Sequence, residues 1–391
     1  MSDYLYPNYG QNRLVFSYGK GSFLYTEAGE EYLDFTAGIA VNCLGHSHPY
    51  LIEKLGEQAQ KLWHTSNLFT NKLNQSLAKR LCDLSFANRV FFCNSGTEAV
   101  ECAIKTARHY HYTKGNETKT VILSFTGAFH GRTLGSLAAT GRKKYLEGFG
   151  KIAPDFVQIN INDSLEQIKQ QLENLSKNLA AIILEPIQAE GGVNVIGQDL
   201  LILLREFCNQ NNVLLIFDEI QTGIYRTGTL FAYQQTGIEP DILTLAKGLG
   251  GGFPIGACLS GKDIAEGMIP GTHGSTFGGN LLAMATAHAV LDLVTKEEIV
   301  ANVIEQSKFL IEKLTILSEQ HSNLIKKPRG KGLLIGIPVN APAAELVAKC
   351  YQNKLLVAAA DKNTIRLLPP LNISRAEAEL AISKFEQALK A

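Results

Sequence analysis

The sequence predicts an α/β protein, with a mostly parallel, helix-covered sheet of the seven-stranded type in a large domain and a small α+β domain after it. Three observations carry this expectation. Between about residues 88 and 290, short β-branched runs alternate with longer helical stretches, the spacing of βαβ units. Those runs are apolar almost throughout, as strands buried on both faces are. After about residue 295 the pattern turns to a long amphipathic stretch followed by shorter strands and helices. We therefore divide the chain into 1–50, an N-terminal segment packing with the small domain; 51–290, the large domain; and 291–391, the small domain.

In chain order, Leu24-Tyr-Thr-Glu-Ala-Gly-Glu-Glu-Tyr-Leu-Asp-Phe35 is a hairpin with Ala-Gly-Glu at its turn, placed to pair with the small domain's sheet. The strands of the large domain are Arg89–Cys93, Thr120–Ser124, Ala180–Leu184, Val213–Phe217, Asp241–Leu245 and Gly256–Ser260, with helices expected over 97–113, 198–210 and 279–295. In the last hundred residues we expect a helix to about 320, strands at Leu333–Ile337, Leu355–Ala358 and Thr364–Leu367, a helix over 342–353 and a final one from Ser374.

Composition narrows the function. Of 391 residues, 37 are Lys or Arg and 37 Asp or Glu, so the formal net charge is zero. A protein that lives on phosphate backbones carries a basic excess or a basic face, and none is visible, so we expect no nucleic-acid partner. No apolar run reaches the length of a membrane span, and the start at Met1 lacks a basic, apolar leader. Seven scattered cysteines without a C-x-x-C pair read as reduced thiols, so a cytoplasmic location is expected.

Ligands of such sheets bind beyond the carboxyl ends of the strands, and four strand ends carry unusual residues. After Cys93 comes Asn94-Ser-Gly-Thr-Glu-Ala-Val100: Ser95 and Glu98 form an S-x-x-E capping box, and Gly96 and Thr97 present free N–H groups to an anion. After Ser124 comes Phe125-Thr-Gly-Ala-Phe-His-Gly-Arg-Thr133, where Phe129 could stack on a planar ring and Arg132 hold a carboxylate, with His130 a satisfied polar neighbour. Leu214-Leu-Ile-Phe-Asp-Glu-Ile-Gln221 is a buried strand ending in Asp218 and Glu219; an Asp there can serve a cationic heteroaromatic nitrogen or a nucleotide's Mg²⁺. The nucleotide reading lacks a phosphate-binding loop, since in Lys247-Gly-Leu-Gly-Gly-Gly252 the lysine precedes the glycines. Lys247, in an apolar, Gly-rich loop, could instead have its pKa lowered and condense with an aldehyde.

Each signal alone has a plainer meaning: an N-cap, a core Phe, a surface Arg, a solvated Lys. Together they describe a pyridoxal 5'-phosphate site. His46-x-His48 and His109-x-His111 lack a third ligand, so no metal site is expected.

At these residues the chain resembles the class III, ornithine-type aminotransferases of the fold type I pyridoxal phosphate superfamily, over essentially its whole length. Within that family it is most similar to the branch acting on N-acetylornithine, through Gly38-Ile-Ala-Val-Asn-Cys-Leu-Gly-His46, His64-Thr-Ser-Asn-Leu-Phe69, Asn94-Ser-Gly-Thr-Glu98 and Leu367-Leu-Pro-Pro-Leu371. The resemblance implies that Gly96 and Thr97 bind the cofactor phosphate, that Phe129 stacks on the ring and that Asp218 pairs with the ring nitrogen. It implies that the stretch through Glu219, Ile220 and Gln221 contacts the cofactor, with Gln221 near the phenolic oxygen, and that Lys247 attaches it covalently. Thr276 would reach the phosphate in a neighbouring subunit, which implies a homodimer with shared sites. For the substrate, Arg132 and Ser275 would form part of the pocket, Arg132 taking the α-carboxylate. Glu190 would pair with Arg366 and release it when 2-oxoglutarate or glutamate enters. The implied reaction is amine transfer from N-acetylornithine to 2-oxoglutarate in arginine biosynthesis; succinylornithine and N-succinyl-diaminopimelate stay open as donors, as does a non-catalytic pyridoxal-fold protein. Ala358–Thr364 and Val100 depart from the common pattern of that branch.

Overall fold

In the computed structural model, which describes residues 4–9, 14–150 and 152–391, the large sheet has seven strands: β1 (Arg89–Cys93), β2 (Val121–Phe125), β3 (Phe156–Ile159), β4 (Leu179–Leu184), β5 (Leu214–Asp218), β6 (Ile242–Leu245) and β7 (Gly256–Ser260). Their order is β1-β7-β6-β5-β4-β2-β3. β7 runs antiparallel to both of its neighbours, and the remaining pairs are parallel. The central strands β4, β5, β6 and β7 are buried along their whole length, which is why they read as unbroken apolar runs. β3 was not anticipated: it is a half-buried edge strand, Phe-Val-Gln-Ile, too short and too mixed to stand out from its loop.

The Gly96–Thr113 helix packs on this sheet through Ala99, Val100, Cys102, Ala103, Ile104, Thr106 and Ala107, a buried stripe of mostly small residues that lets it approach closely. Ser95 is its N-cap, accepting from the Glu98 N–H. The expected capping box is modified: the Glu98 carboxylate takes the N–H of Asn94 at 2.7 Å rather than that of Ser95. Its reach one residue further back fixes the strand-to-helix turn.

The N-terminal hairpin, Phe23–Thr26 with Glu31–Asp34, is joined by Phe16–Lys20 on one side and by Leu355–Leu356 on the other. Leu355 pairs with Leu33 and Leu356 with Asp34, so the two ends of the chain share a sheet. The run expected as one strand over 355–358 is split: beyond Val357 the chain enters a second sheet, Ala358–Asp361, Thr364–Leu367, Leu334–Pro338 and Arg329–Lys331. Arg366 projects from that second sheet toward the ends of the large sheet's strands. Helices Pro49–Ala59 and Lys72–Asp83, also unanticipated, pack against Leu281–Val294. Among the described residues no helix is long and apolar enough to cross a membrane.

Candidate active site

A cavity of about 410 Å³ opens at the carboxyl ends of β1, β2, β5 and β6, where the sheet's topology places a ligand site. Of the residues singled out in the sequence, it brings together Gly96, Thr97, Phe129, Arg132, Glu190, Asp218, Ile220, Gln221 and Lys247.

The anion end is built by close approach. A Cβ on Gly96 would stand 2.7 Å from Ile220 Cδ1, so only glycine lets the helix start meet the β5 end. Gly96 and Thr97 are the first two helical residues, whose N–H groups have no acceptor within the helix. The Thr97 hydroxyl accepts the Arg132 N–H at 3.1 Å and bonds Ser136 Oγ at 2.6 Å, tying the loop after β2 to the helix start. Gly131, at φ 140°, sits where a Cβ would lie 2.3 Å from that same hydroxyl.

At the end of β5, Asp218 and Glu219 part company. Asp218 is buried and lines the cavity; its Oδ2 is 2.8 Å from His130 Nδ1, and its Oδ1 accepts the Ile220 N–H at 3.1 Å. Glu219 is placed otherwise than expected. Its carboxylate accepts the N–H groups of Ala232 and Tyr233 at 2.5 and 2.8 Å, so the side chain caps that segment and does not line the cavity. Burial pushes its carboxyl up to about 7.

Lys247 follows β6 with a left-handed backbone, φ 44°. Its side chain is half-buried at the cavity wall, and desolvation there, reinforced by the Arg366 charge, lowers its pKa to about 8. Across from it Arg366, 1% exposed, donates to Gln221 Oε1 at 2.9 Å and to Glu190 Oε1 at 2.6 Å. Arg132 is the contrasting guanidinium. It is held over the Tyr145 ring at 3.8 Å and the Phe129 ring at 5.4 Å, and makes no ion pair among the described residues.

Ser275 and Thr276 do not join this cavity. They line a separate, open one of about 810 Å³ with Asn67 and Asn74. Ser275 Oγ accepts from Asn94 Nδ2 at 3.1 Å, so it touches the cofactor cavity's rim only through Asn94. Of the two histidine pairs, His46 is bonded to Asp34 and His111 to the Ala180 carbonyl, contacts that hold the fold.

Three contributors escaped the sequence reading in whole or in part. His130, read as a satisfied polar neighbour, is one, and what the sequence did not give is its partner, Asp218. Glu185, at the end of β4, holds the Phe129 and Ala189 N–H groups on its two oxygens at 2.8 and 3.0 Å; as a carboxylate at a strand's carboxyl end it was open to the same search that found Asp218. Tyr145 had no signal at all, because it reaches Arg132 from a single 3-10 turn, Lys143–Tyr145, too short to show a pattern.

In comparison with known proteins, the profile of the class-III aminotransferases matches the sequence over residues 4–389. The chain belongs to the class-III aminotransferases. It is 48% identical over 384 residues to an acetylornithine aminotransferase of Agrobacterium fabrum, covering 98% of this chain and 95% of that one. With a Clostridium acetobutylicum protein of the same name it shares 46% over 388 residues, covering 99% of each. Among solved structures, the N-acetylornithine aminotransferase of Stenotrophomonas maltophilia superposes with a TM-score of 0.85 at 38% identity, covering 97% of this chain and 96% of that one. The ornithine aminotransferase of Toxoplasma gondii superposes with a TM-score of 0.94 at 33% identity, covering 99% and 92%.

Class-III aminotransferases are pyridoxal phosphate enzymes, and this cavity fits the cofactor. It offers a glycine cradle at a helix N-terminus for a phosphate, a buried carboxylate for a cationic ring nitrogen, an aromatic ring at its wall and a half-buried amine of lowered pKa.

Proposed function

We propose that this class-III aminotransferase transfers the terminal amine of N-acetylornithine to 2-oxoglutarate, giving N-acetylglutamate 5-semialdehyde and glutamate, as a step of arginine biosynthesis. The observation that carries this reading is the pair of unlike guanidiniums: Arg132 free at the cavity wall, Arg366 buried and masked by Glu190.

Pyridoxal phosphate bound here would supply the aldehyde that carries the amino group and the electron-accepting ring. Gly96 and Thr97 hold its phosphate through backbone N–H groups and the helix dipole. Asp218, fixed by His130, keeps a proton on the ring nitrogen, and Phe129 orients the ring. Lys247 Nζ is the base. With its pKa near 8, roughly a quarter of the amine is neutral at pH 7.5, where an ordinary lysine is almost wholly protonated. With the cofactor bound, Lys247 Nζ would therefore be able to take up and return a proton at the substrate carbon.

Arg132 binds the α-carboxylate of the acyl-ornithine, whose terminal amine then points to Lys247. With Glu190 closed on Arg366, no second carboxylate site competes. Glutamate reacts at its α-amine, so its α-carboxylate must sit nearer the chemistry. Opening the Glu190–Arg366 pair supplies that second site, and one pocket serves both substrates.

The enzyme is proposed to work as a homodimer. Ser275 and Thr276 lie outside their own chain's cofactor cavity, and the same face exposes Trp63, Leu68, Phe69 and Phe277, an apolar surface suited to a second copy. A cytoplasmic setting accords with seven unpaired cysteines.

Comparing kcat/KM for N-acetylornithine, N-succinylornithine and N-succinyl-diaminopimelate, with 2-oxoglutarate as acceptor, tests the assignment. N-acetylornithine should lead by at least about tenfold; a lead for either succinyl donor would reassign the substrate.

A further inference from the structure

Glu190 stands at the tip of a two-stranded hairpin, Ile187–Gln188 paired with Asn194–Val195. Three consecutive carbonyls of that tip are each held by a side chain. Arg142 Nη2 donates to the Glu190 carbonyl. Asn194 Nδ2 donates to that of Gly191 at 2.7 Å, and Arg329 donates to that of Gly192 through Nε at 2.9 Å and Nη2 at 2.6 Å. On the other side of the tip, the Ala189 N–H is taken by Glu185.

The backbone between these holds is unusual. Gly192 has φ 111° and Val193 φ 59°, the latter a region that a β-branched residue rarely enters. Val193 is buried against the small domain's sheet, where a Cβ on Gly336 would stand 2.6 Å from the Val193 Cβ. With the tip fixed in this way, the part of Glu190 left to move is its side chain.

Arg142 differs from the other holds in where its remaining contacts lead. Its Nη1 donates at 3.3 Å to the hydroxyl of Tyr145, the residue whose ring carries the Arg132 guanidinium, and its charge is met by exposed Asp361 at 3.7 Å. Arg142 does not line the cofactor cavity, so its influence on the reaction passes through Glu190 and Tyr145.

We propose that Arg142 is a positioning residue for the Glu190–Arg366 pair. By holding the Glu190 carbonyl it sets the place from which the carboxylate reaches Arg366, and hence how firmly Arg366 is masked against a second carboxylate. The inference rests on the reading of that pair as the element that lets one pocket serve both substrates. Without Arg142 the tip loses a charge-assisted hydrogen bond, the 2.6 Å contact between Glu190 and Arg366 is held less well, and Arg366 opens more readily to glutamate. N-acetylornithine does not call on Arg366. A change passed through Tyr145 to Arg132 falls on the distal carboxylate of either substrate and cancels in their ratio.

The test uses cofactor-loaded wild type, R142Q, E190A and the double variant, and follows the single-turnover half-reactions with glutamate and with N-acetylornithine over a range of donor concentrations. R142Q should raise the glutamate-to-N-acetylornithine ratio of rate over half-saturating concentration by about threefold, the size expected for one hydrogen bond. The gain should come from a lower half-saturating concentration of glutamate, with limiting rates kept within about twofold because Lys247 and Asp218 are untouched. In the E190A background R142Q should leave the ratio unchanged, since no carboxylate remains to be positioned. R142K, which keeps a cationic donor for the carbonyl, should restore at least half of the shift. A ratio that E190A shifts and R142Q does not would overturn the proposal and leave the two-substrate reading standing. A ratio that neither substitution shifts would overturn both. An equal shift from R142Q with and without Glu190 would show a general disturbance of the pocket and overturn the proposal alone.

Discussion

Lys247 is held in a backbone region that costs a side-chain-bearing residue about 1–2 kcal/mol, and its half-buried amine is partly desolvated at the cavity wall, so the same residue is unfavourable twice over for stability. The sign of the second effect can be worked out. Burial lowers the folded-state pKa from 10.5 to about 8, so between these values the unfolded chain binds a proton that the folded chain does not. Stability therefore rises with pH through that window, and the full penalty, about 3 kcal/mol from the size of the shift, is present below pH 8. For protein prepared free of cofactor, K247M should be more stable than wild type in urea titrations at pH 7, with the gap closing toward pH 10.5. A gap that does not narrow would show that the amine is not desolvated. Glu190 gives the second prediction at this scale. E190A leaves Arg366 open to either carboxylate, so in single-turnover measurements the glutamate half-reaction should gain by about tenfold relative to the N-acetylornithine half-reaction. An unchanged ratio would reject the switch. At this scale the sequence was most legible where chemistry follows a strand, as at Asp218 and Lys247. It was least legible at Glu219, because adjacent residues leaving a strand point to opposite faces and only the fold decides which face holds the ligand.

The large sheet's strands show the same rule at the scale of elements. β4 to β7 announced themselves because both faces are buried, whereas β3, at the edge, alternates too little over four residues to be distinguished. The Pro49–Ala59 and Lys72–Asp83 helices each bury only two residues, so their apolar stripes are thin, although Pro49 at the first turn and Asn71 at the N-cap mark their starts. The split at Val357 lay beyond any reading of periodicity, since whether one run feeds one sheet or two depends on the partners that pairing supplies. Glu219 belongs here too, as the acceptor that ends the β5 turn against the Ala232–Gln235 segment. Removing it in E219A leaves two buried N–H groups unpaired and should lower stability by about 1–3 kcal/mol, measured by denaturant titration. Cofactor affinity should change by less than about twofold; a large loss of affinity would return Glu219 to the cofactor site.

For the whole molecule, family and reaction class were legible because four strand ends spread over more than a hundred residues carry complementary pieces of one site, which few folds would bring together. The proposed assembly comes from the resemblance alone, since nothing in the pattern of Ser275-Thr-Phe-Gly-Gly-Asn280 marks a surface for a second chain. Sedimentation should give twice the 42.7 kDa chain mass, and F277E, on the exposed face, should shift the protein toward monomers and weaken pyridoxal phosphate binding with them. A monomeric wild type that binds the cofactor fully would contradict the shared site. The central claim, that this cavity takes the terminal amine of N-acetylornithine through Lys247, is tested most directly by the visible spectrum of the cofactor-loaded protein on adding N-acetylornithine without any keto acid. The account predicts that the yellow colour bleaches within one turnover in the wild type and persists in K247A; a wild-type protein that stays yellow with N-acetylornithine would contradict it.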